Sequence, residues 1–293
     1  GWTVQDFLSA VPSSPGNLVE NTPMDDISDI VEFYNGNPDA EHQRLEYHQL
    51  EFDLTWRYLD RFLPPNGNLL EIGAASGRYT LGLAGRGYSI TAVDVSQKLL
   101  DLNRQRLAEN HLEANVRYLT GDVRQLDRFV QGQFDAILLM GPLYHLVMES
   151  DRSLALSNCY AHLVEGGVIF SSFISRFGIM GELIRKVPEW IEDQAEVREI
   201  LDLGRDPDHY PRGSFRGYFA TVAEIAPLHE NAGFKTILLA GVEPGISADD
   251  ESYNQLQGTR RQLWLDLFDE LSTEPSSLGA SRHLLYIGCR PAL

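Results

Sequence analysis

The chain has 293 residues, 43% apolar and 23% charged, enough for one large α/β domain with an insertion or for two smaller domains. Its 42 acidic residues against 24 lysines and arginines leave a net charge of −18. With no basic stripe to gather phosphates, that balance excludes a general nucleic-acid binder. No apolar run is long enough to span a bilayer and no signal-peptide pattern opens the sequence, so no membrane partner is expected. Cys159 and Cys289 form neither a metal-ligand spacing nor a disulfide framework, which makes a reducing cytoplasm the expected compartment.

Residues 1–24 are rich in Pro, Ser, Asn and Gly and read as an arm. Residues 25–34 predict a helix that ends at Asn35-Gly36-Asn37-Pro38. Over 41–63, Leu45, Phe52, Trp56, Leu59 and Leu63 recur at helical period and predict one long helix, with Tyr47, His48 and Glu51 beside the stripe. Pro64-Pro65-Asn66-Gly67 stops it.

Next comes Asn68-Leu69-Leu70-Glu71-Ile72-Gly73-Ala74-Ala75-Ser76-Gly77-Arg78-Tyr79, a short apolar run ending in an acid and a glycine turn. It reads as a buried parallel strand that delivers its chain to a nucleotide-sized ligand at the carboxyl edge of a sheet. Glycines let backbone approach a ligand where a Cβ would collide, and the following helix start offers free N–H groups. A dinucleotide-binding turn reads G-x-G-x-x-G, whereas here the pattern is Glu71-x-Gly73-x-x-x-Gly77 without a middle glycine.

A short helix over 79–86 leads to a second buried strand, 89–93, ending in Asp94. That acid lies roughly twenty residues past the turn, where a second strand can set a carboxylate on a ribose diol. Ser96 caps the next helix, which runs to about Asn110. The third strand, 116–119, ends in Thr120-Gly121-Asp122-Val123. The fourth, 134–140, runs into Gly141-Pro142-Leu143-Tyr144-His145-Leu146. A helix over 152–163, the turn Glu165-Gly166-Gly167 and a fifth strand, 168–173, complete the alternation of a doubly wound parallel sheet.

The rhythm breaks over 175–218, where helical stretches precede a polar loop, 204–213, holding Asp206, Asp208, His209, Tyr210 and Arg212. This insertion is expected to cover the ligand crevice, the alternative being a surface elaboration that touches no substrate. Residues 221–233 predict a helix capped by Thr221 and stopped by Gly233. A strand over 234–240, an amphipathic helix over 253–271 and a last strand over 283–289 close the sequence.

Glu71 with its glycines, Asp94, Asp122 and the 140–145 loop stand at successive strand ends. In this order they resemble the class I S-adenosylmethionine (SAM)-dependent methyltransferases, over about residues 66–174. The resemblance implies a doubly wound, Rossmann-like α/β fold, a mixed seven-stranded sheet with helices on both faces whose last strand runs antiparallel. It divides the chain into an N-terminal arm with cap helices (1–65) and a methyltransferase domain (66–293) with a lid insertion at about 175–218. It further implies SAM as cofactor and S-adenosylhomocysteine as product. Glu71 would face the methionine amino group, with Gly73, Ala75, Gly77 and Tyr79 around the methionine portion. Asp94 would meet the ribose and Asp122 the adenine, with Val95, Val123, Met140 and Tyr34 completing the cofactor set.

Methyl transfer from a sulfonium leaves the protein mainly to align the reactants, and a base is needed only where the acceptor arrives protonated. His145, after the fourth strand, is the first candidate base, since many small-molecule members of the family carry a His there, and His48 is the second. Tyr47, Tyr144, Phe173, Phe177 and Tyr218 are expected to join Tyr34 in an aromatic pocket around the cationic donor or the acceptor. No metal is expected, because the Asp/Asn/Asp set of catechol-type enzymes is not recognisable. Gly141-Pro142-Leu143-Tyr144 replaces the Asn/Asp-Pro-Pro-Tyr/Phe of the branch that methylates base or glutamine amides. No cysteine is placed for C5 methylation of a base.

What remains resembles bacterial small-molecule and natural-product methyltransferases, implying O- or N-methylation of a small metabolite or short peptide by a monomer or homodimer. A non-catalytic SAM-binding regulatory or scaffold protein stays open, as does aminopropyl transfer of the spermidine-synthase kind. A nicotinamide-dependent oxidoreductase is the further rival, opposed by Glu71 and by the missing middle glycine.

Overall fold

A computed structural model describes residues 24–206, 216–246 and 249–292. Three helices precede the sheet: α1 (Ser28–Gly36), α2 (Pro38–Tyr47) and α3 (Gln49–Phe62). The central alternation follows as β1 (Asn68–Ile72), α4 (Thr80–Gly85), β2 (Ser89–Asp94), α5 (Gln97–Glu109), β3 (Val116–Thr120), β4 (Phe134–Leu139), α6 (Glu149–His162) and β5 (Leu163–Ser175). The insertion supplies α7 (Met180–Lys186), α8 (Gln194–Leu203), β6 (Arg205–Asp206) and β7 (Gly217–Ala220). The chain ends in α9 (Val222–Asn231), β8 (Lys235–Gly241), α10 (Asp250–Asn254), α11 (Gly258–Leu271), α12 (Pro275–Leu278) and β9 (His283–Cys289).

The first five strands lie parallel in the order β3-β2-β1-β4-β5. β9 runs antiparallel along β5, and β8 antiparallel on β9. These seven are the mixed sheet that the family resemblance implies. The insertion extends it, because β7 pairs in parallel with Ile174 and Ser175 at the end of β5, and β6 pairs with β7.

Central strands are apolar on both faces because helices cover both. Leu69, Ala136 and Leu138 point into one core with Leu54, Leu59 and Leu83. Their neighbours Leu70, Ile72, Ile137 and Leu139 point into the other, with Leu156, Cys159 and Ile225. The strand period of two thus divides one sheet between two cores and sends all its parallel carboxyl ends to one edge.

Two expectations about helices are corrected. The long helix over 41–63 breaks at His48, whose φ of −84° and ψ of 69° separate α2 from α3. The Arg78 guanidinium donates to the His48 carbonyl oxygen there, and Asp250 and Arg282 hold the imidazole. The helix over 253–271 is likewise two, α10 and α11, and Gly258, the first residue of α11, has a φ of +55°. Asp208, His209, Tyr210 and Arg212 of the polar loop, and residues 1–23 of the arm, lie outside the described residues.

Candidate functional site

The carboxyl edge of the sheet opens into a cleft of about 1000 Å³, mouth included. Its floor is the turn after β1. Gly73 and Ala74 donate their N–H groups to Val93 O at 2.9 and 3.1 Å, which draws the turn against β2. Gly73 adopts a φ of +79°, and a Cβ there would collide with the Met140 carbonyl. Ala75 takes the same left-handed region, φ +45°, although it is not glycine.

Asp94, at the end of β2, is 7% exposed and faces the cleft. Its carboxylate is fixed by Ala75 N–H and Ser96 N–H, each at 2.9 Å. Burial raises its pKa to about 6, against those two backbone donors. A buried carboxylate oriented by the backbone and turned to a cavity suits a neighbouring pair of hydroxyl donors such as a ribose diol. Val95, Asp122, Val123, Met140, Tyr79 and Tyr34 line the same cleft. Asp122 is already engaged: it caps the turn that follows by accepting from Arg124 N, and it pairs with the Arg124 guanidinium at 2.6 Å.

The opposite wall comes from the cap helices. Tyr34 of α1 meets His145 Nε2 at 2.9 Å, beside Tyr144. Burial lowers the His145 pKa to about 3, with a hydrogen bond to the Arg216 backbone acting the other way, so the imidazole is neutral. Two ion pairs complete the lining: Arg44 with Glu41, bidentate at 2.7 and 2.8 Å, and Arg78 with Glu51 at 2.6 Å. Burial pushes the Glu51 carboxyl up, but Arg78, helped by His283 and His48, holds it well below the usual carboxylate range.

Several residues expected at the site lie elsewhere. Glu71 is 1% exposed and sits behind the turn, where it accepts from Thr80 Oγ1 at 2.6 Å; burial raises its pKa to about 8. It supports the turn and does not line the cleft. Gly77 packs on α5, where a Cβ would stand 2.7 Å from Asn103 Oδ1. Phe173 is buried edge-on against His229 in the second core. Tyr218 lies beneath the Arg152 guanidinium and donates to Glu224. Tyr47 and Phe177 face solvent.

His48 also lies off the cleft, in a buried cluster of charges. Its Nδ1 is 3.0 Å from Asp250 and 2.9 Å from Arg282 Nη2. His48, Glu243 and Asp250 stand close enough to share a metal ion, but the Arg282 guanidinium pairs with both acids and stands beside the imidazole.

The cover over the cleft also differs from expectation. Among the described residues the insertion contributes none of the lining, whereas α1 and α2 contribute Ile30, Tyr34, Glu41, Arg44 and Leu45. Arg216, at the return of the insertion, instead ties α1 down through Asp25 at 2.5 Å and Asp29 at 2.7 Å. Sequence reasoning missed Glu41, Arg44 and Arg78. A Glu and an Arg three apart on a polar helix read as a solvated surface pair, and only the fold turns them inward.

Residues 69–167 match a family model described as a methyltransferase domain. A ubiquinone biosynthesis O-methyltransferase of Coxiella burnetii is 32% identical over 124 residues, 41% of this chain and 49% of that protein. Nodulation protein S of Rhizobium tropici is 30% identical over 109 residues, 37% of this chain and 44% of that protein. The chain spans about half the length of the curated relatives it matches.

Among solved structures, a SAM-dependent methyltransferase from Methanosarcina mazei is similar at a TM-score of 0.57 and 16% identity, over 80% of this chain and 98% of that one. Magnesium protoporphyrin IX methyltransferase from Synechocystis, solved with bound S-adenosylhomocysteine, is similar at a TM-score of 0.57 and 14% identity, over 90% of this chain and all of that one. No helix among the described residues is long and apolar enough to cross a membrane. Residues 69–167 are thus similar to a methyltransferase domain, and the sheet around them has the Rossmann-like fold of SAM-dependent methyltransferases.

Proposed function

We propose that the chain transfers a methyl group from SAM to an oxygen or nitrogen of a small metabolite or short peptide. The observation that carries this reading is the single cleft that gathers Asp94, the Gly73–Ala75 turn and Asp122 on one wall and Tyr34, Tyr144 and His145 on the other. When bound, SAM supplies an electrophilic methyl on a sulfonium that leaves as a neutral thioether. Asp94 would hold the ribose diol and Asp122–Val123 would border the adenine. The paired charges of Glu51–Arg78 and Glu41–Arg44 would meet the zwitterionic methionine end. Tyr34 and Tyr144 wall the cation with aromatic faces and help to exclude water. His145, held neutral, is the proton acceptor of the site.

The ubiquinone biosynthesis O-methyltransferases among the relatives support a small acceptor. Incubation with methyl-labelled SAM and separate pools of phenolic, amine and carboxylate metabolites tests it. Label is expected in one pool, with S-adenosylhomocysteine formed in equal amount. Binding of SAM with no transfer to any pool would favour a non-catalytic SAM-binding protein.

A further inference from the structure

His145 cannot meet an acceptor directly through Nε2, because that nitrogen already faces the Tyr34 hydroxyl at 2.9 Å. The two residues are 9% and 8% exposed, and Tyr34 and Tyr144 flank the imidazole edge-on at 5.5 and 4.8 Å between ring centroids. The Arg216 backbone hydrogen-bonds the ring in the sense that favours its protonated form, so it accepts from a ring N–H. A neutral imidazole carries one N–H. In the tautomer with that hydrogen on Nδ1, Nε2 keeps its lone pair and Tyr34 donates to it. Tyr34 also lines the cleft, and a phenol oxygen that donates its hydrogen retains lone pairs with which to accept another.

We propose that Tyr34 is the group that takes the proton from the methyl acceptor: the acceptor's O–H or N–H hydrogen passes to Tyr34 Oη as the Tyr34 hydrogen passes to His145 Nε2. This rests on the methyl-transfer reading above. The acceptor's lone pair forms the new bond to the methyl carbon, the methyl–sulfur electron pair stays on sulfur, and one proton ends on the imidazole. The positive charge lost at sulfur therefore reappears at His145. A buried site that keeps its total charge avoids the desolvation cost of creating a new ion.

Neither residue acts alone. Burial holds the Tyr34 phenol well above its usual range, so no standing phenolate is available. Burial also keeps the imidazole unprotonated before transfer, ready to receive. The shared hydrogen bond joins a group that can touch the acceptor to a group that can store the proton.

Nitrogen-15 NMR of the histidine-labelled full chain, saturated with S-adenosylhomocysteine, tests the arrangement without needing the acceptor. The His145 Nε2 resonance is expected to be that of an unprotonated, hydrogen-bonded nitrogen, and to move toward that of a free lone pair in Tyr34→Phe. An Nε2 that carries its own hydrogen, or one that Tyr34→Phe leaves unmoved, overturns the relay and leaves methyl transfer standing. Failure of S-adenosylhomocysteine to bind removes the reading beneath it. With the acceptor that label transfer identifies, Tyr34→Phe should lower kcat by about 100-fold or more while SAM affinity holds. The Tyr34→Phe/His145→Gln double variant should be no slower than either single one, since both act in one step. Additive losses would overturn the relay.

Discussion

Glu71→Gln removes one titrating proton from the centre of the domain with little change of shape. Glu71 is 1% exposed, accepts from Thr80 Oγ1, and has its pKa raised by burial from 4.5 to about 8. Between those values the folded chain holds a proton that the unfolded chain has released. Stability from this group therefore falls as pH rises through that window and levels off above it. At about 1.4 kcal/mol per pH unit, the accumulated cost is on the order of 5 kcal/mol. Glutamine carries no such proton. Urea unfolding of both proteins across a pH series should show the stability difference moving in the variant's favour by about 1.4 kcal/mol per pH unit up to about pH 8. Taking the difference removes titrations common to both. Parallel curves would refute the reasoning: Glu71 would then be ionised in the fold and available to a ligand's ammonium group.

Other outcomes follow from the same structure. Ala75→Gly relieves a φ of +45° and should stabilise the fold by about 1 kcal/mol, read as a higher urea midpoint; an unchanged midpoint would mean the turn carries no strain. Arg282→Met strands Glu243 and Asp250 as buried acids and should cost about 3–5 kcal/mol in the same assay. Arg216→Ala frees Asp25 and Asp29, so amide exchange should quicken across α1 while β1 and β4 keep their protection. Equal exchange in both proteins would show that α1 is held without these ion pairs, by its packing on Leu99 and by the Tyr34–His145 hydrogen bond.

The sheet was legible because its strands are local signals: short apolar runs, each ended by a turn and separated by helical periods. Asp94 could be read for a similar reason. It terminates β2, and a terminal strand residue in this topology meets the crevice. Glu71 misled because it lies within β1, between Leu70 and Ile72, where the strand period turns it with Leu69 away from the cleft.

Phe173, Tyr218, Tyr47 and Phe177 lie off the cleft for a different reason. Residue type alone points Phe173 and Tyr218 to the pocket, and nothing local separates the face of the sheet that joins a core from the edge that meets a ligand. The break at His48 has its cause far away in sequence, in Arg78 and Arg282, and no window around residues 41–63 contains it. Glu41 and Arg44 became part of the wall only because α2 folds back over the sheet edge.

Calorimetric titration of the full chain and of Asp94→Ala with SAM, S-adenosylhomocysteine and NADH tests the central claim most directly. One molecule of either adenosyl ligand should bind per chain and NADH should not. Asp94→Ala should keep the far-ultraviolet spectrum of the fold and lose most of its SAM affinity. Binding of NADH alone, or an Asp94→Ala variant with undiminished SAM affinity, would contradict the account.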